Sequence, residues 1–145
     1  YDGGVKVPFI ASWPGTIPTN TTTEAVISLA DLYPTLTELG GAECTDQFTD
    51  GIDIREALVE GTLANSDERA IVMSSVRGKF ALRRGKWSLL SHPGNGIKRY
   101  DGAEDTPKQL YNLHEDRGQR NNLFEQYPEK TRDLDRELER IRAMD

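Results

Sequence analysis

Lys79-Phe80-Ala81-Leu82-Arg83-Arg84-Gly85-Lys86-Trp87-Ser88-Leu89-Leu90 alternates apolar and polar side chains on either side of a glycine. A period of two puts Phe80 and Leu82 on one face of a strand, and Trp87 and Leu89 on the matching face of its partner. Arg84-Gly85 joins the two runs. The pattern predicts a β-hairpin with Arg83, Arg84 and Lys86 as a basic tip. Charge at a strand edge most often serves solubility, with anion binding as the less common use.

Working outward, Ala70-Ile71-Val72-Met73 predicts a strand before the hairpin, and Gln109-Leu110-Tyr111-Asn112-Leu113 a fourth after it. Between them Ser91 to Pro107 is a long polar loop carrying His92, Lys98 and Arg99. Pro128 opens a helix, where its missing donor has no partner to lose. Tyr127, Thr131, Leu134, Leu138 and Ile141 recur at spacings of four and three, a narrow apolar stripe. Asp133–Arg136 and Glu139–Arg142 are expected to pair on the polar face. About four antiparallel strands packed by one helix make an α+β layer over residues 63–145.

Residues 1–62 read differently. Tyr1-Asp2-Gly3-Gly4 is a tight turn, and Val5, Val7, Phe9 and Ile10 predict an edge strand interrupted by Pro8. Asp31 is placed to cap a helix with Pro34 in its first turn, Leu32, Leu36 and Leu39 on one face, and Gly40-Gly41 as its stop. Asp53 and Glu56 form a candidate capping box for a second, short helix. If the early strand lacks a sheet to join, Val5, Val7, Phe9, Ile10, Val26 and Ile27 expose apolar surface, and the chain is expected to self-associate.

Composition narrows the partners. The chain has 145 residues and a net charge of -6, which argues against nucleic acid. No apolar run approaches the ~20 residues that span a bilayer. Cys44 is the sole cysteine, and His92 and His114 stand far apart without further ligands at helical or turn spacing.

Several blocks together resemble the type I sulfatases of the alkaline-phosphatase superfamily. Tyr1-Asp2-Gly3-Gly4-Val5-Lys6-Val7-Pro8 is similar to their YEGG-x-R-x-P stretch, and Trp13-Pro14-Gly15 to the WPG that follows. Asp31-Leu32-Tyr33-Pro34-Thr35-Leu36 resembles DL-x-PTL, and Asp50-Gly51-Ile52-Asp53 their DG-x-S/D. The hairpin resembles their a-x-R-x-G-x-W-K block. Leu110-Tyr111-Asn112-Leu113, Asp116, Gly118 and Asn121-Asn122-Leu123 resemble LYDL-x-x-DPGE-x-x-NL. The blocks keep the family's order. Asp2, Lys6 and Arg117 depart from the usual Glu, Arg and Pro; the first two keep charge, although Lys cannot form the bidentate pair of Arg.

The resemblance implies a C-terminal portion of a sulfatase: residues 1–62 as the end of the large α/β domain, and 63–145 as the small C-terminal domain. It implies a parent that hydrolyses aryl or carbohydrate sulfates with a formylglycine nucleophile and Ca2+, in a periplasmic, secreted or lysosomal-type setting. It also places the sulfate-contacting Lys just before Tyr1, and the acidic metal ligands earlier still. Cys44-Thr45-Asp46-Gln47-Phe48 does not match the C/S-x-P-x-R motif that yields formylglycine. No catalytic or metal-ligating residue is therefore assigned within this chain, which is expected to be inactive alone. His92, Lys98 and Arg99 are the candidate contacts to an anionic sulfated substrate, against the plainer reading of a solvated loop. Two alternatives stand beside this one: part of a related phosphonate or phosphodiester hydrolase, or a non-catalytic glycan-binding or interaction module.

Overall fold

The computed structural model describes residues 1–44, 50–94 and 107–144. The chain divides into two compact units, Tyr1–Val7 with Glu68–Asp145, and Pro8–Asp67. Tyr1–Val7 thus groups with the sheet that begins at Ala70.

That sheet has four antiparallel strands in sequential order: β1 Ala70–Ser74, β2 Phe80–Arg84, β3 Trp87–Leu90 and β4 Gln109–Asn112. The hairpin register sets Arg84 opposite Trp87 and Leu82 opposite Leu89. The two-residue period therefore sends Leu82, Leu89 and Leu110 to one face, where helix α3, Pro128–Arg142, lies against them. Leu82, Leu89, Leu110, Leu134 and Leu138 have no exposed surface. Burying each contributes about 1.5–3 kcal/mol. Arg84 ends the apolar row on this face and binds both Asp133 and Glu137 of α3. Asp133 therefore reaches across to the sheet, instead of along the helix to Arg136, and is also 3.8 Å from Lys130. The Glu139–Arg142 pair forms at 2.9 Å as the spacing suggests.

The outer edge of β4 is covered by the chain that follows it. Asn122 Oδ1 accepts from Leu110 N and Phe124 N, each at 3.0 Å, and Leu123 N donates to Leu110 O at 2.8 Å. Asp116 holds the intervening turn by accepting from Arg120 N and Asn121 N at 2.7 and 2.8 Å. These bonds depress its carboxyl pKa, the one from Asn121 foremost. The LYDL-like and NL-like blocks are thus two sides of one edge seal.

In the unit Pro8–Asp67, helix α1 spans Leu32–Leu39 and helix α2 spans Arg55–Val59. Asp31 precedes α1, but its carboxylate does not cap it. One oxygen accepts from Ser28 N at 2.6 Å, the other from Ile52 N at 3.0 Å. Thr35 donates its hydroxyl to Asp31 O at 2.6 Å and accepts from Ile54 N at 3.0 Å. Both side chains are fully buried. Pro34 and Thr35 therefore form the covered face of α1, while Leu36, expected in an apolar stripe, is 63% exposed. Gly51 packs so closely on Ala30 that a Cβ there would meet the Ala30 carbonyl oxygen at 2.1 Å.

The strand expected at Val5–Ile10 does not form. Asp2–Gly4 is a single 3-10 turn, and residues 6–10 have no regular structure. Apolar alternation suits a pleated surface, but a strand also needs a neighbour to receive its backbone bonds. Val7 and Ile10 stay exposed; Val26, expected to be exposed too, is buried.

Candidate functional site: a polar knot on the second face of the sheet

The sheet face away from α3 begins with small and apolar groups, Ala81, Leu90, Tyr111 and Leu113. Among them the strand period also places Gln109, Ser88 and Arg83. Gln109 is 1% exposed, so every polar atom of its amide needs a partner. It has four. Its Oε1 accepts from the phenols of Tyr1 at 2.9 Å and Tyr111 at 2.6 Å. Its Nε2 donates to His92 O at 3.0 Å and to Gly94 O. Two carbonyls on one side and two hydroxyls on the other leave a single sensible orientation for the amide.

Gln119 makes a second tie. Its Oε1 accepts from Asp2 N at 2.6 Å, and its Nε2 lies 3.4 Å from Ser88 Oγ. Arg83 Nη1 pairs with Asp2 Oδ1 at 3.3 Å, while its Nε donates to Gly85 O. The Tyr1 and Tyr111 rings lie 6.0 Å apart in a tilted arrangement. The opening turn is therefore held at three points, through Tyr1 OH, Asp2 N and the Asp2 carboxylate. The same Gln109 amide grips the root of the loop that starts at Ser91.

His92 is 7% exposed, and its Nδ1 lies 3.0 Å from Pro93 O, so that nitrogen donates. Its place is at the loop's base, with its carbonyl bound by Gln109. Lys98 and Arg99 lie outside the described residues. The basic hairpin tip is largely engaged: Arg83 by Asp2, and Arg84 by Asp133 and Glu137. Desolvation opposes the Arg84 charge, yet its pKa is raised, because the Asp133 hydrogen bond and both carboxylate charges outweigh that cost. Among the described residues, no three His, Cys, Asp or Glu side chains gather as a metal site would require.

Gln109, Ser88 and Gln119 escape motif-based reading, and Tyr111, although inside the LYDL-like block, carries no sign there of its bond to Gln109. One signal was present: Gln109 and Tyr111 share a face, in a strand whose other face carries Leu110. A glutamine in so apolar a run must be bonded once it is buried.

No family model matches the chain. It is 32% identical over 149 residues to arylsulfatase A of Bos taurus, covering 89% of this chain and 28% of that protein. It is likewise 32% identical to a sulfatase of Formosa agariphila, covering 92% of this chain and 26% of the relative. A solved structure described under metabolism of multiple glycosaminoglycans by Bacteroides thetaiotaomicron matches with a TM-score of 0.73 and 25% identity, over 90% of this chain and 28% of that one. The chain thus spans about a quarter of the length of the curated relatives it matches. By sequence and by fold together, the chain belongs to the sulfatase family and corresponds to its C-terminal portion.

Proposed function

We propose that this chain is part of a sulfate-ester hydrolase acting on sulfated carbohydrate, and that it shapes the approach to the reacting group without cleaving the ester. The observation carrying this reading is the Gln109 knot, which ties the family's YEGG-like turn and the base of the 91–107 loop to one buried amide. Sulfated carbohydrate is favoured over a simple aryl sulfate by the glycosaminoglycan context of the matching solved structure.

Hydrolysis requires a nucleophile at sulfur, neutralisation of the sulfuryl oxygens and a proton for the leaving group. In the family, formylglycine and Ca2+ supply the first two. The residues here do not fit either group: Cys44 lacks the flanking motif, and the described acidic residues do not converge. What this chain supplies is position. Gln109 holds both roots, His92 anchors the loop from a buried site, and Lys98 and Arg99 on that loop meet the sulfated substrate as a pair of cations. The uncovered Val5, Val7, Phe9 and Ile10 favour association of this chain with further copies of itself when it is studied alone.

The test is sulfate release from a sulfated monosaccharide by the full-length polypeptide, set beside the 145-residue chain alone. The full-length protein is expected to be active and the isolated chain silent. Replacing Lys98 and Arg99 by Ala should raise KM about tenfold with a smaller change in kcat, the mark of lost ground-state binding. Sulfate release by the isolated chain would overturn its non-catalytic role. An inactive full-length protein would overturn the hydrolase reading, and an unchanged KM the loop contact.

A further inference from the structure

A cleft of about 460 Å³ lies where the turn after β4 meets the start of α3. Its base includes Asn112, which is 4% exposed, and Leu123. Asn112 Oδ1 accepts from His114 N at 3.2 Å, which fixes the amide and leaves Nδ2 as the outward donor. That nitrogen makes no hydrogen bond among the described residues, yet no buried side-chain polar atom is left unsatisfied. Nδ2 therefore opens into the cleft it lines. Around the rim stand Glu115, Arg120 and Gln126, all exposed. Among the described residues, none of these three side chains makes a hydrogen bond, and Arg120 has a favourable charge interaction with Asp116 beside it. Tyr127 completes the wall, 46% exposed, with its ring braced against Trp87 at 5.3 Å and a tilt of 56°.

We propose that this cleft binds one neutral pyranose unit of a glycan, with Tyr127 against the sugar's C–H face and Asn112, Glu115 and Gln126 serving its hydroxyls. The chemistry selects this ligand over others. Adjacent hydroxyls present donor and acceptor together, and planar amides and carboxylates match that pair. A braced aromatic ring offers apolar area at little entropic cost. An apolar ligand would meet only Leu123 and Tyr127 as apolar wall. A metal ion lacks a third ligand among the described residues. A sulfated sugar is disfavoured by charge: Glu115 and Asp116 face a single Arg120, and Asp116 stays ionised through its backbone bonds. The cleft would thus recognise an unsulfated residue of a chain. It does so through its own side chains and does not depend on the hydrolase reading above.

The experiment is an NMR titration of the 145-residue chain with galactose, N-acetylglucosamine and N-acetylgalactosamine, each beside its sulfate ester. At least one neutral sugar should shift the Asn112 and Gln126 side-chain amides saturably at millimolar concentration, and its sulfate ester should bind more weakly. Gln126→Ala removes an exposed side chain with no structural partner, so it should leave the remaining spectrum unchanged while weakening binding about tenfold, as loss of one well-placed hydrogen bond does. Tyr127→Phe keeps the ring and should retain binding. The proposal fails if no neutral sugar gives saturable shifts, if the sulfate ester binds as tightly, or if Gln126→Ala binds like the parent chain.

Discussion

The two units are held together by different means. The sheet unit closes on apolar area, with five leucines fully covered between sheet and α3. The unit Pro8–Asp67 buries fewer large side chains, and its centre is a set of directed bonds: Asp31 to Ser28 and Ile52, and Thr35 to Ile54. Apolar packing degrades gradually as methylenes are removed, because the surroundings relax in part. A buried carboxylate or hydroxyl gripping backbone donors has no such tolerance, since each orphaned group costs its full desolvation. The DL-x-PTL-like and DG-like blocks are therefore conditions on local geometry, while the hairpin and the final helix are conditions on pattern.

Four changes sharpen this contrast, the largest first. Gly51→Ala drives a Cβ into the Ala30 carbonyl and should exceed about 4 kcal/mol, a range single changes rarely reach. Hydrogen exchange should show lost protection at Ile52 N and Ile54 N, with the sheet amides unaffected. Leu134→Ala, in the apolar core, should cost about 2–5 kcal/mol and shift the denaturant midpoint of the sheet unit. Equal protection loss in both units from either change would break the contrast. Gln109→Leu keeps the volume but removes four hydrogen bonds, two accepted from phenols and two donated to carbonyls. A loss of about 1–3 kcal/mol is expected, with faster exchange at Asp2 N and near Gly94.

Asp133→Asn should matter least, at about 1 kcal/mol or below, because its side chain is 49% exposed and solvent screens the pair. Its value lies in the pH profile. The hydrogen bond from Arg84 holds the Asp133 carboxyl below its ordinary range. A depressed folded pKa stabilises above the unfolded value, about 3.9, and the contribution disappears as pH falls through the folded value. The stability difference between parent and variant should therefore be flat above about pH 5 and shrink progressively at lower pH. A difference that grows on acidification would reverse the assignment.

The hairpin, the fourth strand and the final helix were legible because each is a periodic signal within one window. Phe80, Leu82, Trp87 and Leu89 needed only their alternation, and Leu134 and Leu138 only their spacing. What escaped is set by partners far along the chain. Gln109 is joined to Tyr1, 108 positions away, and nothing local marks that bond. Asp31 looked like a helix cap because capping is the nearest use for an aspartate at that position; Ile52, 21 residues on, claims it instead. Asp133 was matched to Arg136 by helical spacing, but Arg84 approaches from the facing sheet with Glu137 beside it. At Val5–Ile10 the failure ran the other way: a strand pattern was present and no ladder partner received it.

The seal that Asn122 and Leu123 place over Leu110 gives the sheet a direction of growth. β4 has its outward bonds at Leu110 satisfied by its own chain, while among the described residues β1 pairs with β2 alone. Among the described residues, the side open to a further strand, from a longer polypeptide or from a second copy, is therefore the one beside Ala70–Ser74. Among the described residues, backbone pairing is in that sense one-ended: the β4 side is closed at Leu110 by its own chain, and the β1 side is the one left to pair.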